Sequence, residues 1–318
     1  MMTVIDSDFK GSLSGNIEDY PEGLVFVIDK PYRWTSADVI RKLKYAAIRH
    51  FNKKNLKVGH AGTLDPLATG VLLLCIGNAC KKAQELQDTD KEYVAGVCFG
   101  ATTASYDLEK EVESGFSLDG VSPEALSLVL EAMKGAREQV APLFSAKMVG
   151  GVRAYELARK MHRAGEALDE AAEELLRVNN IVLSELDLLH WGETGLASLS
   201  EARGQVSFRE ASSPEHNGQA AEARELEHGP SGNSAEARNK GHNPNSRINV
   251  AEVPAGLPEA TIRVACSKGT YIRALARDLG EALGSAAFLT SLQRSASGKF
   301  RVEKAISPDH ALSILLTE

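Results

Sequence analysis

The chain has 318 residues, of which 43% are hydrophobic and 25% charged, with a formal net charge of -7. That is enough for one large core or two small ones, and no apolar run reaches the roughly 18 residues of a membrane span. The polar, acidic start "MMTVIDSDFKGSLSGNIEDYPEG" lacks the basic end and apolar centre of a signal peptide, so the cytoplasm is the expected compartment.

Residues 1–22 read as a mobile tail. "GLVFVIDKP" gives a buried strand that ends at Lys30-Pro31. "TSADVIRKLKYAAIRHF" is a helix, capped by Thr35 or Ser36, with Val39, Ile40, Leu43, Ala46 and Ala47 at helical spacing. A glycine-rich loop, "GHAGTLDPLATG", follows. "GVLLLCIGNA" is an apolar run of strand length, although periodicity alone leaves a buried helix open. "KEYVAGVCFGATT" reads as a strand. "SPEALSLVLEAMKG" is a helix opened by Ser122, Pro123 and Glu124 and closed by Gly135. "VRAYELARKMHRAGE" reads as another helix, and "RVNNIVLSELDLLHW" as a strand pair or one long strand.

From 195 to 250 the composition shifts to Ala, Glu, Ser, Asn, Gly and Arg, with Phe208 as the one aromatic residue. Such a segment buries too little apolar surface to offset its ordering entropy, so it reads as a disordered insertion. Order returns with "ATIRVACSKGTYIRALARDLGEALG": a strand, a turn at Lys268-Gly269 and a helix. "AFLTSLQRSASGKFRVEKAI" reads as a final helix and a short strand.

Four positions stand out chemically. Pro66 pushes Asp65 out of the helical region, and the surrounding glycines permit a shaped loop. Asp65 is therefore either a turn residue or a presented carboxylate. A phosphate-binding P-loop does not fit, because Val71 and Leu72 follow Gly70 where Lys and Ser/Thr are needed. Tyr93 lies on a strand, where most tyrosines pack. Arg273 and Arg277 are four apart on one helix face. Arg273 sits near the helix start, which the dipole disfavours for a cation, and this points to an acidic partner. His60 borders the loop. The four cysteines, at 75, 80, 98 and 266, have neither CxxC spacing nor a neighbouring histidine. They read as reduced thiols, with no metal site.

Each signal is weak alone, but their combination is specific. "GHAGTLDPLATGVLLLCIGNACK", "DKEYVAGVCFGATTASYD", "APLFSAKMVGGVRAYELAR" and "CSKGTYIRALARDLGEALG" resemble, in order, the blocks of the TruB-type tRNA pseudouridine synthases. "VIDKPYRWTSADVI" and "SLQRSASGKF" resemble that family's opening and closing blocks.

The resemblance implies an α+β pseudouridine-synthase fold: a mixed, mostly antiparallel sheet flanked by helices, with a central RNA-binding cleft. The catalytic domain would comprise 23–194 and 251–318, with 195–250 as an insertion. The implied reaction isomerises the T-loop uridine at position 55 of tRNA, without cofactor or metal. The implied partner is the tRNA T-arm, with no membrane association and a monomeric enzyme. Asp65 would be the essential catalytic residue, Arg273 its ion-pair partner, and Tyr93 the tyrosine stacked under the uracil. His60 and Leu292 would border the flipped base, and Lys81 and Lys30 would contact phosphates.

Three features depart from the family pattern. Phe144 replaces a tyrosine, and Lys147 sits one position early. The insertion is foreign to the common pattern. The chain also leaves little room for the PUA-type RNA-binding domain that many bacterial members carry. Two other readings share the resemblance: an RNA-binding or RNA-folding protein on the same fold, and a guide-RNA-dependent synthase. The three core residues speak against the first, and the little room for a C-terminal domain speaks against the second, since that branch relies on such a domain to hold the guide.

Overall fold

A computed structural model describes residues 2–142, 178–195, 248 and 250–316, together with short strands at 148–149 and 152–153. A 10-stranded sheet organises the described residues. Its strands, in chain order, are β1 (Thr3–Ile5), β2 (Leu24–Lys30), β3 (Val58–Ala61), β4 (Ala68–Ile76), β5 (Lys91–Phe99), β8 (Gly135–Val140), β11 (Val178–Glu193), β12 (Pro258–Cys266), β13 (Ala287–Ser297) and β14 (Phe300–Arg301). Two small hairpins stand apart: β6 (Ala101–Thr103) with β7 (Val112–Ser114), and β9 (Met148–Val149) with β10 (Val152–Arg153). The helices are α1 (Ser36–His50), α2 (Ala83–Gln87), α3 (Pro123–Met133), α4 (Ile272–Ala282) and α5 (Pro308–Leu316). The strand order is β1-β2-β4-β13-β5-β12-β11-β8, with β3 beside β4 and β14 beside β13. Only the β1–β2 and β4–β13 pairings in this sheet are parallel. The expected α+β architecture is therefore present.

Both faces of the sheet are covered, and β4 records it. Leu72, Leu74 and Ile76 pack in a cluster with Leu43 and Ala47 of α1. The alternate residues Val71, Leu73 and Cys75 pack with Val25, Val27 and Phe300. A strand buried on both faces reads as a continuous apolar run, which is why spacing alone left β4 open. Helix α1 starts with a full capping box: Asp38 N donates to Thr35 Oγ1 (3.1 Å) and Thr35 N donates to Asp38 Oδ2 (3.0 Å). Strand β11 is one 16-residue strand that pairs first with β8 and then with β12.

Two expectations need correction. Residues 1–22 are not a free tail: β1 pairs with the start of β2, and Ile5, Leu13 and Ile17 are buried. Three widely spaced aliphatic residues in a polar stretch leave no periodic signal. The segment 287–297 is not a helix but the central strand β13, paired with β4 and β5. Phe288, Leu292 and Ala296 are four apart and imitate a helix face. Register shifts between Leu289 and Ser291, and between Arg294 and Ala296, hide the strand alternation. Phe144, Lys147, the helix expected over 152–166 beyond β10, and the insertion beyond its ends lie outside the described residues.

Candidate active site

The glycine-rich loop between β3 and β4 is tied down on several sides. Leu64 N donates to Ser36 Oγ (3.0 Å), at the first turn of α1, and Ala68 N donates to Asp65 O (3.1 Å). Lys30 Nζ, fully buried, donates to the carbonyls of Pro31 (2.9 Å), Trp34 (2.6 Å) and Pro66 (3.1 Å). Burial pulls its pKa down to about 7, against the opposing pull of Asp65 and Asp29. The expected phosphate contact is thus corrected: Lys30 faces backbone carbonyls beneath the loop, with no surface left for RNA.

Opposite the loop, α4 begins without a side-chain cap. Gln139 of β8 replaces it. Tyr271 N donates to Gln139 Oε1 (2.9 Å), and Gln139 Nε2 donates to Tyr271 O (3.2 Å). Two residues later Arg273 meets Asp65 with a two-pronged contact, Nε to Oδ2 (2.8 Å) and Nη2 to Oδ1 (3.2 Å). Its Nη1 donates to Ser105 O (3.0 Å), and Nε lies 3.6 Å from Asp107 Oδ2. The Arg273 side chain is 6% exposed and that of Asp65 38%. Burial opposes the guanidinium charge, but Asp65 and Asp107 outweigh it and hold the pKa of Arg273 above the ordinary range. Arg277 takes a different course. It pairs with Asp278 (2.7 Å) and lies over the Tyr106 ring.

Asp107 was not singled out by sequence reasoning. It is buried, receives Ser105 Oγ (2.6 Å) and Glu109 N (3.0 Å) on Oδ1, and has its pKa pushed up by burial against the pull of Arg273. Tyr106, just before it, adopts φ 57°, a left-handed conformation rare outside glycine. Such strain next to a charged cluster is typical of functional loops. The available signal was an aspartate four residues after the "GATT" strand end, in "TTASYDLEK".

Asp65, Tyr93, Arg273, Leu292 and Arg294 share the wall of one cleft of about 660 Å³, with Lys91 and Lys268 also lining it. Tyr93 on β5 is 9% exposed and pairs with Arg294 across β13. Burial raises its phenol pKa, and the adjacent Arg294 pulls it back. Leu292 is paired with Ala95 of β5 and Ala68 of β4, and it also lines a small cavity of about 20 Å³ behind Asp65.

The other two expected residues stand outside this wall. His60 lies on β3 opposite Leu74, half-buried. Its Nδ1 has no hydrogen-bond partner among the described residues, and burial, then Arg294, lowers its pKa. Lys81 is exposed on the 3-10 turn Gly77–Lys82 after β4. Arg294 was overlooked inside "SLQRSASGKF", because that segment read as a helix. Among the described residues no cluster of three or more His, Cys, Asp or Glu side chains is arranged to hold a metal. No helix there is long and apolar enough to cross a membrane.

Comparison with known proteins gives the family and the fold. Residues 49–189 match the TruB family pseudouridylate synthase N-terminal domain. The chain is 37% identical over 289 residues to a protein of Phocaeicola vulgatus named tRNA pseudouridine synthase B, spanning 91% of this chain and 92% of that one. It is 39% identical over 292 residues to the protein of the same name from Bacteroides thetaiotaomicron, spanning 92% of each. Among solved structures, a Cbf5-Nop10-Gar1 complex contains a chain of similar fold, with a TM-score of 0.52 and 20% identity. That likeness covers 97% of this chain and 60% of the solved one.

Proposed function

The chain belongs to the TruB family of pseudouridylate synthases, and on that premise we propose that it converts the T-loop uridine at position 55 of tRNA to pseudouridine, with Asp65 as the catalytic carboxylate. The observation that carries this reading is the two-pronged Asp65–Arg273 pair on the wall of a cleft that Tyr93 and Leu292 also line. Two parallel N–H···O contacts fix both the position and the orientation of the carboxylate. Its 38% exposure leaves it open to a substrate entering the cleft.

A uridine in a folded T loop must leave its stack to reach such a site. Tyr93 and Leu292 offer it an aromatic and an aliphatic surface. Lys268, 59% exposed on the cleft wall and paired with Asp88 (3.1 Å), offers the sugar-phosphate backbone a cation there, whereas Lys91 is buried against the carbonyls of Gln87 and Thr89. The names of the relatives support tRNA as the substrate, and the proposed setting is a monomer in the cytoplasm. Exposed Lys81 and half-buried His60 serve in this reading as contacts to the flanking nucleotides.

The test is release of tritium from an unmodified tRNA transcript labelled at uridine C5. Wild type is expected to release it from the T-loop uridine, and Asp65→Asn is not. Release by the asparagine variant at wild-type rate removes Asp65 from the chemistry. Tight tRNA binding without release by either protein turns the assignment into an RNA-binding one.

A further inference from the structure

Arg294 is one of the bulkiest fully buried side chains in the protein. Its backbone lies at the crossing of two pairings, opposite Gly70 of β4 and Tyr93 of β5. Its guanidinium donates from Nε to Val71 O (2.7 Å), from Nη2 to Gly62 O (3.1 Å) and from Nη1 to Thr63 O (3.5 Å). The acceptors are therefore backbone of the Asp65 loop and of the strand it feeds. Arg273 has two carboxylates; Arg294 forms no ion pair among the described residues.

Its surroundings are mostly cationic or neutral. Lys91 and Tyr93 of β5, Lys30 of β2 and His60 of β3 all feel its charge. Around Tyr93 the other ionisable groups are Cys266 of β12 and Asp65. Burying a cation without a carboxylate, near two lysines, is costly. A neutral amide would satisfy carbonyls without that penalty, so the retained charge calls for a role beyond clamping.

We propose that Arg294 is a positioning residue of the reaction: it locks the Asp65 loop against the Tyr93 strand and holds a permanent positive charge in the wall beside the bound base. This rests on the reading of the cleft as a pseudouridine synthase site. When the N1–C1′ bond of uridine breaks, the electron pair stays on the base at N1 and C1′ is left electron-deficient beside the Asp65 carboxylate. The detached pyrimidine is an anion until its C5 bonds to C1′, after which C5 loses its proton and N1 gains one, so the product is an isomer of the substrate. A fixed cation in a dry wall stabilises that charge without reorganising. Arg294 acts through Tyr93 and the loop, while Arg273 serves Asp65.

Two variants separate clamp from charge. Arg294→Gln keeps N–H donors and removes the charge; Arg294→Lys keeps the charge and loses the fork. Arg294→Gln is expected to lower kcat on a tRNA transcript roughly a hundredfold with KM within about twofold, and Arg294→Lys to recover about tenfold of that loss. A second readout needs no turnover. The Tyr93 phenol, isolated as the absorbance difference between each protein and its Tyr93→Phe counterpart, is expected to titrate at higher pH in Arg294→Gln than in wild type, and near wild type in Arg294→Lys.

Wild-type kcat and wild-type phenol titration in Arg294→Gln overturn the proposal. So does an equal loss of kcat and melting temperature in both variants, which makes the arginine a clamp alone. If Arg294→Gln does not fold, Arg294→Lys decides: kcat within about tenfold of wild type supports the role, and a larger loss overturns it. A wild-type protein without turnover overturns the reading of the cleft, and the role of Arg294 with it. An active wild type with an indifferent Arg294→Gln overturns the role of Arg294 alone.

Discussion

Asp65 and Asp107 flank one guanidinium, yet their surroundings differ. Asp65 is 38% exposed at its side chain and Asp107 8%. An ion pair with one open partner contributes little to folding. Arg273 also keeps Asp107 and Ser105 O when Asp65 is neutralised. Asp65→Asn is therefore expected to leave the melting temperature within about 2 °C of wild type and tRNA binding unchanged, while turnover is lost. A calorimetric scan beside a filter-binding assay checks both. Asp107→Asn should act differently. It removes the buried carboxylate that Arg273 and Ser105 share, so the guanidinium can shift and carry Asp65 with it. Turnover is expected to fall roughly tenfold to a hundredfold, since small misplacements at a reacting group cost that much. Wild-type kcat in this variant would show that Asp65 is held without it.

At the scale of elements, the loop between β3 and β4 is held from below by two buried cations. Lys30 takes the Pro66 carbonyl, and Arg294 takes those of Gly62 and Thr63. Lys30→Met leaves the carbonyls of Pro31, Trp34 and Pro66 without this donor, and is expected to cost roughly 1–3 kcal/mol in urea unfolding at pH 7. The sign of the pH dependence follows from the depressed pKa. Between about 7 and 10.5 the unfolded lysine holds a proton that the folded one has shed, so wild-type stability rises with pH across that window. The gap between wild type and Lys30→Met should therefore widen from pH 7 towards 10. A constant gap would mean that Lys30 keeps its proton in the folded protein. Gly70 has φ 95°, and a Cβ there would lie 2.3 Å from Arg294 O across the parallel pairing. Gly70→Ala is expected to destabilise by roughly 1–3 kcal/mol and to lower turnover, because it pries β13 away from the loop. Unfolding curves and the tritium assay measure the two effects.

For the whole molecule, the described residues on either side of 196–247 are tied to the body. Thr194 N donates to Leu257 O (2.8 Å), Gly256 N donates to Thr194 O (3.0 Å), and Arg33 Nη2 reaches Ile248 O (2.6 Å). Replacing 200–247 with a short Gly/Ser linker is expected to shift the melting temperature by less than about 4 °C, since those ties remain. A larger fall would show that the segment packs on the catalytic body.

Much of this organisation was legible along the chain. The capped helix α1, the strand carrying Tyr93 and the shaped loop around Asp65 declare themselves through local rules: a capping box, apolar spacing, glycine and proline placement. These depend on neighbours a few residues away, and the family resemblance rests on the same stretches. Tertiary structure alone decided the rest. Strand β13 imitates a helix until β4 and β5 pair with it on both sides. Lys30 looks like a surface cation until three backbone carbonyls enclose it. Asp107 and Arg294 acquire meaning through contacts with Arg273, 166 positions away, and with Gly62, 232 positions away. Burial and charge partners are set by distance in space, and local sequence pattern carries no record of which distant groups share a dry wall.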